Sequence, residues 1–246
     1  MKLKMENISL SFPNKQVLEN LNLEVKEGEF VTILGPSGCG KSTILNILAG
    51  LLEKQTGKIY VDGQPIQGIS NHFAYMPQND LLLPWNTILD NVTLYARLHG
   101  KKQEITALAK EKMAYFGLAG YEDAYPDELS GGMRQRAAFL RTALCHADIL
   151  LLDEPFGALD VITRNDMQDW LNEMRYTLNK TTLLVTHDID EALYLSDRII
   201  ILSGQPANVK EIIDLSSFKK SREWLYAQTT LRNSIYQFLK GENHAA

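Results

Sequence analysis

The run Gly35-Pro36-Ser37-Gly38-Cys39-Gly40-Lys41-Ser42 follows a short apolar stretch, Phe30 to Leu34, and leads into a helix-compatible segment from Thr43. A buried strand entering a glycine-rich turn that opens a helix restricts the fold more than any other part of the chain. The glycines let the backbone curl until successive N–H groups converge on phosphate oxygens, and the helix N-terminus adds positive potential. At this spacing Lys41 is expected to reach the β- and γ-phosphates, and Ser42 to hold Mg²⁺. Residues Gly35 to Thr43 are therefore expected to bind a nucleoside triphosphate. Cys39, beside Lys41 at a helix start, is expected to favour its thiolate and to serve as an alkylation handle. The loop alone fits kinases, GTPases, helicases and transport ATPases equally well.

Bulk properties narrow the class. A chain of 246 residues with 45% hydrophobic and 22% charged residues can build a substantial core. The net charge of −5 and the lack of a basic stripe argue against a nucleic-acid partner. The two cysteines, Cys39 and Cys145, match no metal-ligand spacing and suit a reduced setting. No run approaches the ~18 apolar residues that a membrane-crossing helix needs, so any membrane role is expected to come through a partner.

Alternation predicts strands at Leu3–Leu10 and Leu21–Val25, a hairpin from Lys58 to Ile66 turning at Asp62-Gly63, and a strand at His72–Met76. A helix is expected over Thr43–Leu52, with Gly57 closing the segment. Helical spacing then predicts one helix over Ile88–Leu98 and another from Gln103 to about Phe116, a helical insertion in an α/β core. Ile149–Leu152, Thr182–Val185 and Arg198–Leu202 read as buried strands separated by helices, the pattern of a parallel sheet. A final amphipathic helix is expected from Ser217 to about Leu239.

Two further motifs add chemistry. Leu129 to Arg136 reads LSGGMRQR, and Ile149 to Pro155 reads ILLLDEP. An apolar strand ending in Asp153 and Glu154 places a Mg²⁺-assisting carboxylate and a general base opposite a phosphate loop on a neighbouring strand. With the phosphate loop, Gln78, LSGG, the Asp-Glu pair, Gly157-Ala158-Leu159-Asp160 and His187 in this order, the chain resembles the ATP-binding-cassette family over residues 1 to about 205.

The resemblance implies a P-loop NTPase core with a mixed, largely parallel sheet, an N-terminal antiparallel β-subdomain and a helical subdomain. It divides one 1–246 domain into a RecA-like core plus β-subdomain (1–86 and 146–205), a helical subdomain (87–145) and a C-terminal helical tail (206–246). Phe12 would stack on adenine, where the family more often has Tyr. Gln78 and Asp153 would complete the Mg²⁺ shell with Ser42, and Glu154 would act as general base, assisted by His187 and Lys41. Ser130, Gly131, Gly132 and Asp160 would touch the ATP held by a second copy. Met133 stands where the family usually has Gln. The implied protein is an ATP-hydrolysing importer subunit, a homodimer or a pseudo-dimer with a second cassette, on the cytoplasmic face of the membrane. It would work with a separate permease and, indirectly, an extracytoplasmic solute-binding protein. The stretch from Pro77 to Val92 looks like that of nitrate, sulfonate, taurine or pyrimidine-precursor importers, with Pro84 and Trp85 as permease-docking residues. A cofactor-assembly ATPase and an exporter subunit are the alternatives.

Overall fold

In this computed structural model, residues 1–240 are described apart from 14, 101 and 158, together with all side chains except those of 102–104 and 176–178. Along the chain, β1 (Leu3–Phe12), β2 (Lys15–Val25), β3 (Phe30–Leu34), α1 (Lys41–Leu48), β4 (Thr56–Val61), β5 (Gln64–Ile66) and β6 (Phe73–Met76) come first. A helical stretch follows: α2 (Ile88–Val92), α3 (Leu94–Leu98), α4 (Lys102–Tyr115), a 3₁₀ turn (Pro126–Glu128) and α5 (Gly131–Ala143). Then β7 (Ile149–Asp153), α6 (Val161–Leu178), β8 (Thr181–Thr186), α7 (Ile189–Leu195) and β9 (Arg198–Leu202) alternate, ahead of β10 (Val209–Asp214), α8 (Arg222–Ala227) and α9 (Thr229–Lys240).

The strands form two sheets. A four-stranded antiparallel sheet has the order β2-β1-β4-β5, and a six-stranded sheet the order β10-β9-β3-β8-β7-β6. The second is parallel from β9 to β6, with β10 antiparallel at its edge. Period-two alternation feeds two cores from this sheet. Leu150, Leu152, Leu184, Ile199 and Ile201 face the helices, whereas Ile149, Leu151, Leu183, Val185 and Ile200 pack with α1 and the smaller sheet. Burial on both faces is why these strands read as continuous apolar runs.

Four expectations need correction. The Ile88–Leu98 helix is interrupted at Thr93, whose hydroxyl donates to the Leu89 carbonyl at 2.7 Å, giving α2 and α3. Gly57 does not close the first helix but lies within β4; α1 stops at Leu48, and Gly50, at φ 73°, leaves no room for a Cβ against the Gly68 backbone. The 206–246 tail is not wholly helical, because β10 pairs with β9 before α8 and α9 begin. Within it, Arg222 stacks on Tyr194 and donates to Asp169, and Arg232 pairs with Asp190 at 2.7 Å. The tail therefore packs on α7. Finally, β7 is not the immediate neighbour of β3, since β8 lies between them.

Candidate functional site

The parallel strands β3, β8 and β7 end on the same side, so the phosphate loop, Thr186-His187 and Asp153-Glu154 emerge together. Gly40 adopts φ 116° just before α1, and a Cβ there would lie 3.0 Å from Val17 Cγ1. Only glycine fits without displacing β2. Lys41 is 4% exposed and donates to the carbonyls of Gly35 and Pro36, both at 2.9 Å. Ser37, Gly38 and Ser42 are exposed. A cleft of about 370 Å³ is lined by Phe12, Lys15, Gly38, Lys41, Thr43 and Glu154, among others. Phe12, 46% exposed at the end of β1, has its ring free to meet a ligand.

Asp153 joins the phosphate loop to β6. Its Oδ1 accepts from Ser42 at 2.9 Å and its Oδ2 from the Tyr75 hydroxyl at 3.1 Å. Burial pushes its carboxyl above the ordinary aspartate range, against the pull of Ser42 and Tyr75. A buried carboxylate beside a serine hydroxyl is an oxygen donor set that a hard divalent cation suits.

Glu154 lies in the left-handed region at φ 44°, fixed because its N–H donates to the Val185 carbonyl at 2.9 Å and its own carbonyl accepts from Gly157 at 3.1 Å. Backbone strain of this kind gathers at functional sites. Its Oε2 is 3.2 Å from Nδ1 of His187, which is largely exposed. Gln78 approaches from the β6 side: its Nε2 lies 3.8 Å from where a Cβ on Gly157 would be.

Ser130, Gly131, Gly132 and Asp160 do not line the cleft of their own chain. Ser130 caps α5, accepting from Met133 N at 3.3 Å, and Asp160 caps α6, accepting from Ile162 and Thr163 N, both at 3.1 Å. The two caps are joined. A Cβ on Gly132 would sit 2.4 Å from Thr163 Cγ2, and the Thr163 hydroxyl donates to Asp160 at 2.6 Å. Ala158 lies outside the described residues.

Residues 18–157 match the family described as ABC transporter. The chain is 42% identical over 246 residues to an uncharacterized ABC transporter ATP-binding protein of Methanocaldococcus jannaschii, covering 98% of this chain and 92% of that one. The chain belongs to the ABC transporter family. It is also 41% identical to the aliphatic sulfonates import ATP-binding protein of Bacillus cereus, over 92% of this chain and 90% of that protein. To the formylaminopyrimidine import ATP-binding protein of Halalkalibacterium halodurans it is 47% identical, over 83% and 80%. A solved dimeric ATP-binding cassette in a post-hydrolysis state with ADP and Pi superposes with TM-score 0.72 at 30% identity, over 88% of this chain and 100% of that one. The protein is thus an ABC nucleotide-binding subunit of importer type and an ATP hydrolase, with the cassette's P-loop NTPase fold.

This cassette holds groups that sequence reading did not single out. Tyr75 reaches Asp153 only because β6 pairs beside β7. Gln205 donates through Nε2 to the Gly38 carbonyl from the loop after β9, and nothing in its sequence context marks it. Glu191 accepts from the Thr186 hydroxyl at 2.6 Å, next to His187; burial pushes its carboxyl up to about 7. One expectation is overturned. Cys39 is 2% exposed and packed under the phosphate loop in the core between the sheets, so it is not an accessible handle.

Proposed function

We propose that two copies of this cassette close around ATP and Mg²⁺ and that hydrolysis reopens them, driving a separate membrane permease in the uptake of a small solute. The reading rests above all on the Glu154–His187 pair, held 3.2 Å apart beside a phosphate loop whose serine bonds Asp153. The loop N–H groups and Lys41 hold the triphosphate, and Phe12 offers a face to the base. Ser42, Asp153 and Gln78 would hold Mg²⁺, which when bound neutralises charge on the phosphates. Glu154 takes the proton of the attacking water, and His187 holds that water against the γ-phosphate.

The second copy would supply Ser130, Gly131, Gly132 and Asp160. Their support is the shared face made by the Gly132–Thr163–Asp160 contacts, flanked by Val161 and Ile162, 70% and 74% exposed. Bare apolar side chains beside two helix caps suit a surface that another protein covers.

Permease docking is supported by an apolar groove of about 630 Å³ between the core and the helical stretch, lined by Leu51, Tyr75, Pro77, Leu81, Tyr95 and Leu98 among others. Pro84 and Trp85 do not line it, yet both are exposed in the adjoining loop, Trp85 by 72%. An amphipathic permease helix fits such a groove. Among the described residues no helix is long and apolar enough to cross a membrane. As a subunit of importer type it would work from the cytoplasmic face through its permease, with an extracytoplasmic solute-binding protein delivering the cargo. By likeness to the relatives named for aliphatic sulfonates and formylaminopyrimidine, the cargo is an oxyanion of the sulfonate, nitrate or taurine type or a pyrimidine precursor.

The deciding experiment is Glu154→Gln. ATP should bind and induce dimers by light scattering, while steady-state hydrolysis falls at least ~100-fold. Activity within a few-fold of the unsubstituted protein would remove Glu154 as the base.

A further inference from the structure

Arg164, in the first turns of α6, connects two parts of the site that the backbone keeps apart. Its Nη2 donates to the Leu159 carbonyl at 3.0 Å, inside the 157–160 loop. Its Nη1 lies 3.7 Å from Asp188 Oδ2, on the residue that follows His187. Its Nε is buried and finds no partner among the described residues. The guanidinium is therefore held at one edge by the loop and at another by the start of α7, like a strut.

What the strut meets at α7 is tightly organised. Asp188 caps the helix with Oδ1, accepting from Asp190 N at 2.8 Å and Glu191 N at 3.2 Å, which leaves Oδ2 for Arg164. Asp188 N donates to the Thr186 hydroxyl at 3.1 Å, and that hydroxyl donates to the buried Glu191 carboxylate at 2.6 Å. His187 lies between these two anchored residues, so a movement of Asp188 turns the imidazole that faces Glu154.

We infer that Arg164 is a positioning residue that couples the 157–160 loop to His187. Pressure from a second copy on the loop at Asp160 is passed through the Leu159 carbonyl and Arg164 to Asp188, which sets the imidazole against Glu154. Hydrolysis then answers to closure rather than to nucleotide binding alone. A planar, forked guanidinium suits this task, because one arm can hold the Leu159 carbonyl by a hydrogen bond while another faces the Asp188 carboxylate as an ion pair. The inference rests on the proposed roles of His187 and of the second copy.

The test compares Arg164→Ala, Asp188→Asn and the double variant in the full chain. Asp188→Asn keeps a capping oxygen while removing the charge that faces Arg164. Each single variant should lose about tenfold in kcat while ATP affinity, read with a fluorescent nucleotide, stays within about twofold. The double variant should be no worse than the weaker single, because both break one strut. Wild-type kcat in Arg164→Ala, losses that multiply in the double variant, or a loss confined to nucleotide affinity would each overturn the inference. If Arg164→Ala does not fold, Asp188→Asn decides alone, and unchanged kcat overturns it. Glu154→Gln, assayed in parallel, separates the failures. An active Glu154→Gln removes the site reading itself; an inactive one beside a fully active Arg164→Ala removes only the strut.

Discussion

Replacing Asn91 with aspartate changes a single group in a side chain that is 0% exposed. Asn91 Oδ1 accepts from Leu83 N at 2.7 Å, and its Nδ2 donates to the carbonyls of Leu83, Asn86 and Thr87 at 3.1, 3.2 and 3.0 Å. These bonds tie the Pro84-Trp85 loop to α2. Aspartate keeps the Leu83 N–H bond but turns its second oxygen toward three carbonyls. Protonated, it can donate one bond, and at a net ~1 kcal/mol each the lost amide contacts cost about 2 kcal/mol. Ionised, it is a buried charge whose bonded neighbours are backbone groups and not cations, which raises its folded pKa by roughly 2 units and adds about 3 kcal/mol near neutral pH. The sign follows from that elevation. A carboxyl whose folded pKa is raised binds its proton more tightly in the native state, so the variant loses stability as pH rises from the unfolded value near ~4 through the folded value near ~6, and the deficit is flat above. Urea unfolding of variant and wild type at matched pH should therefore show a deficit of about 3 kcal/mol at pH ~4.5 and about 5 kcal/mol at pH ~7.5. A deficit equal at both pH values, or below ~1 kcal/mol at the higher, would refute the reasoning.

Three other outcomes follow from the geometry. Leu98→Glu places a charge in the apolar groove at a side chain 76% exposed, so ATPase activity of the free subunit should hold within about twofold. Co-purification with the permease should be lost, and an intact complex would count against the groove as the docking site. Gly132→Ala should push Thr163 off Asp160, lowering stability by about 1–2 kcal/mol and weakening ATP-induced dimerisation; unchanged dimerisation would uncouple the two caps. Cys39 should label far more slowly in the native chain than in urea, with or without ATP, and native labelling at the unfolded rate would contradict its burial.

The phosphate loop, the Asp153-Glu154 strand end and the alternation of β2 were all legible because each is a local property of a few consecutive residues. Leu21 to Val25 alternate buried and exposed as their spelling requires. Strand order was not legible in the same way. A buried parallel strand is apolar on both faces whichever neighbours it has, so nothing in ILLLD or TTLLVT says that β8 separates β7 from β3. Tyr75 follows the same logic, since its role depends on β6 pairing with β7. β10 escaped because VKEIID is only half-buried at a sheet edge and is too short to outweigh the helical periodicity after it. Cys39 was misread for a different reason: its neighbours set its electrostatics, while its accessibility is set by the sheet beneath it.

The placement of Ser130 and Asp160 fits the proposal that one chain forms half a site. Both side chains are engaged as helix caps, and both remain exposed. Capping uses one oxygen's lone pairs and leaves the polar tip on the surface, so a residue can hold its helix and still present that helix start to a phosphate. The chain thus builds two surfaces: a cleft lined by the phosphate loop and Glu154, with His187 beside that carboxylate, and a capped face from Ser130 to Gly132 and at Asp160 that does not line this cleft. The Gly132–Thr163–Asp160 contacts make the capped face one unit, and Arg164, the residue after Thr163, bonds the Leu159 carbonyl and pairs with Asp188, the neighbour of His187. On the proposed roles of His187 and of the second copy, a face stiff within itself and linked through Arg164 to the neighbour of His187 is what that copy would press against for hydrolysis to register its arrival.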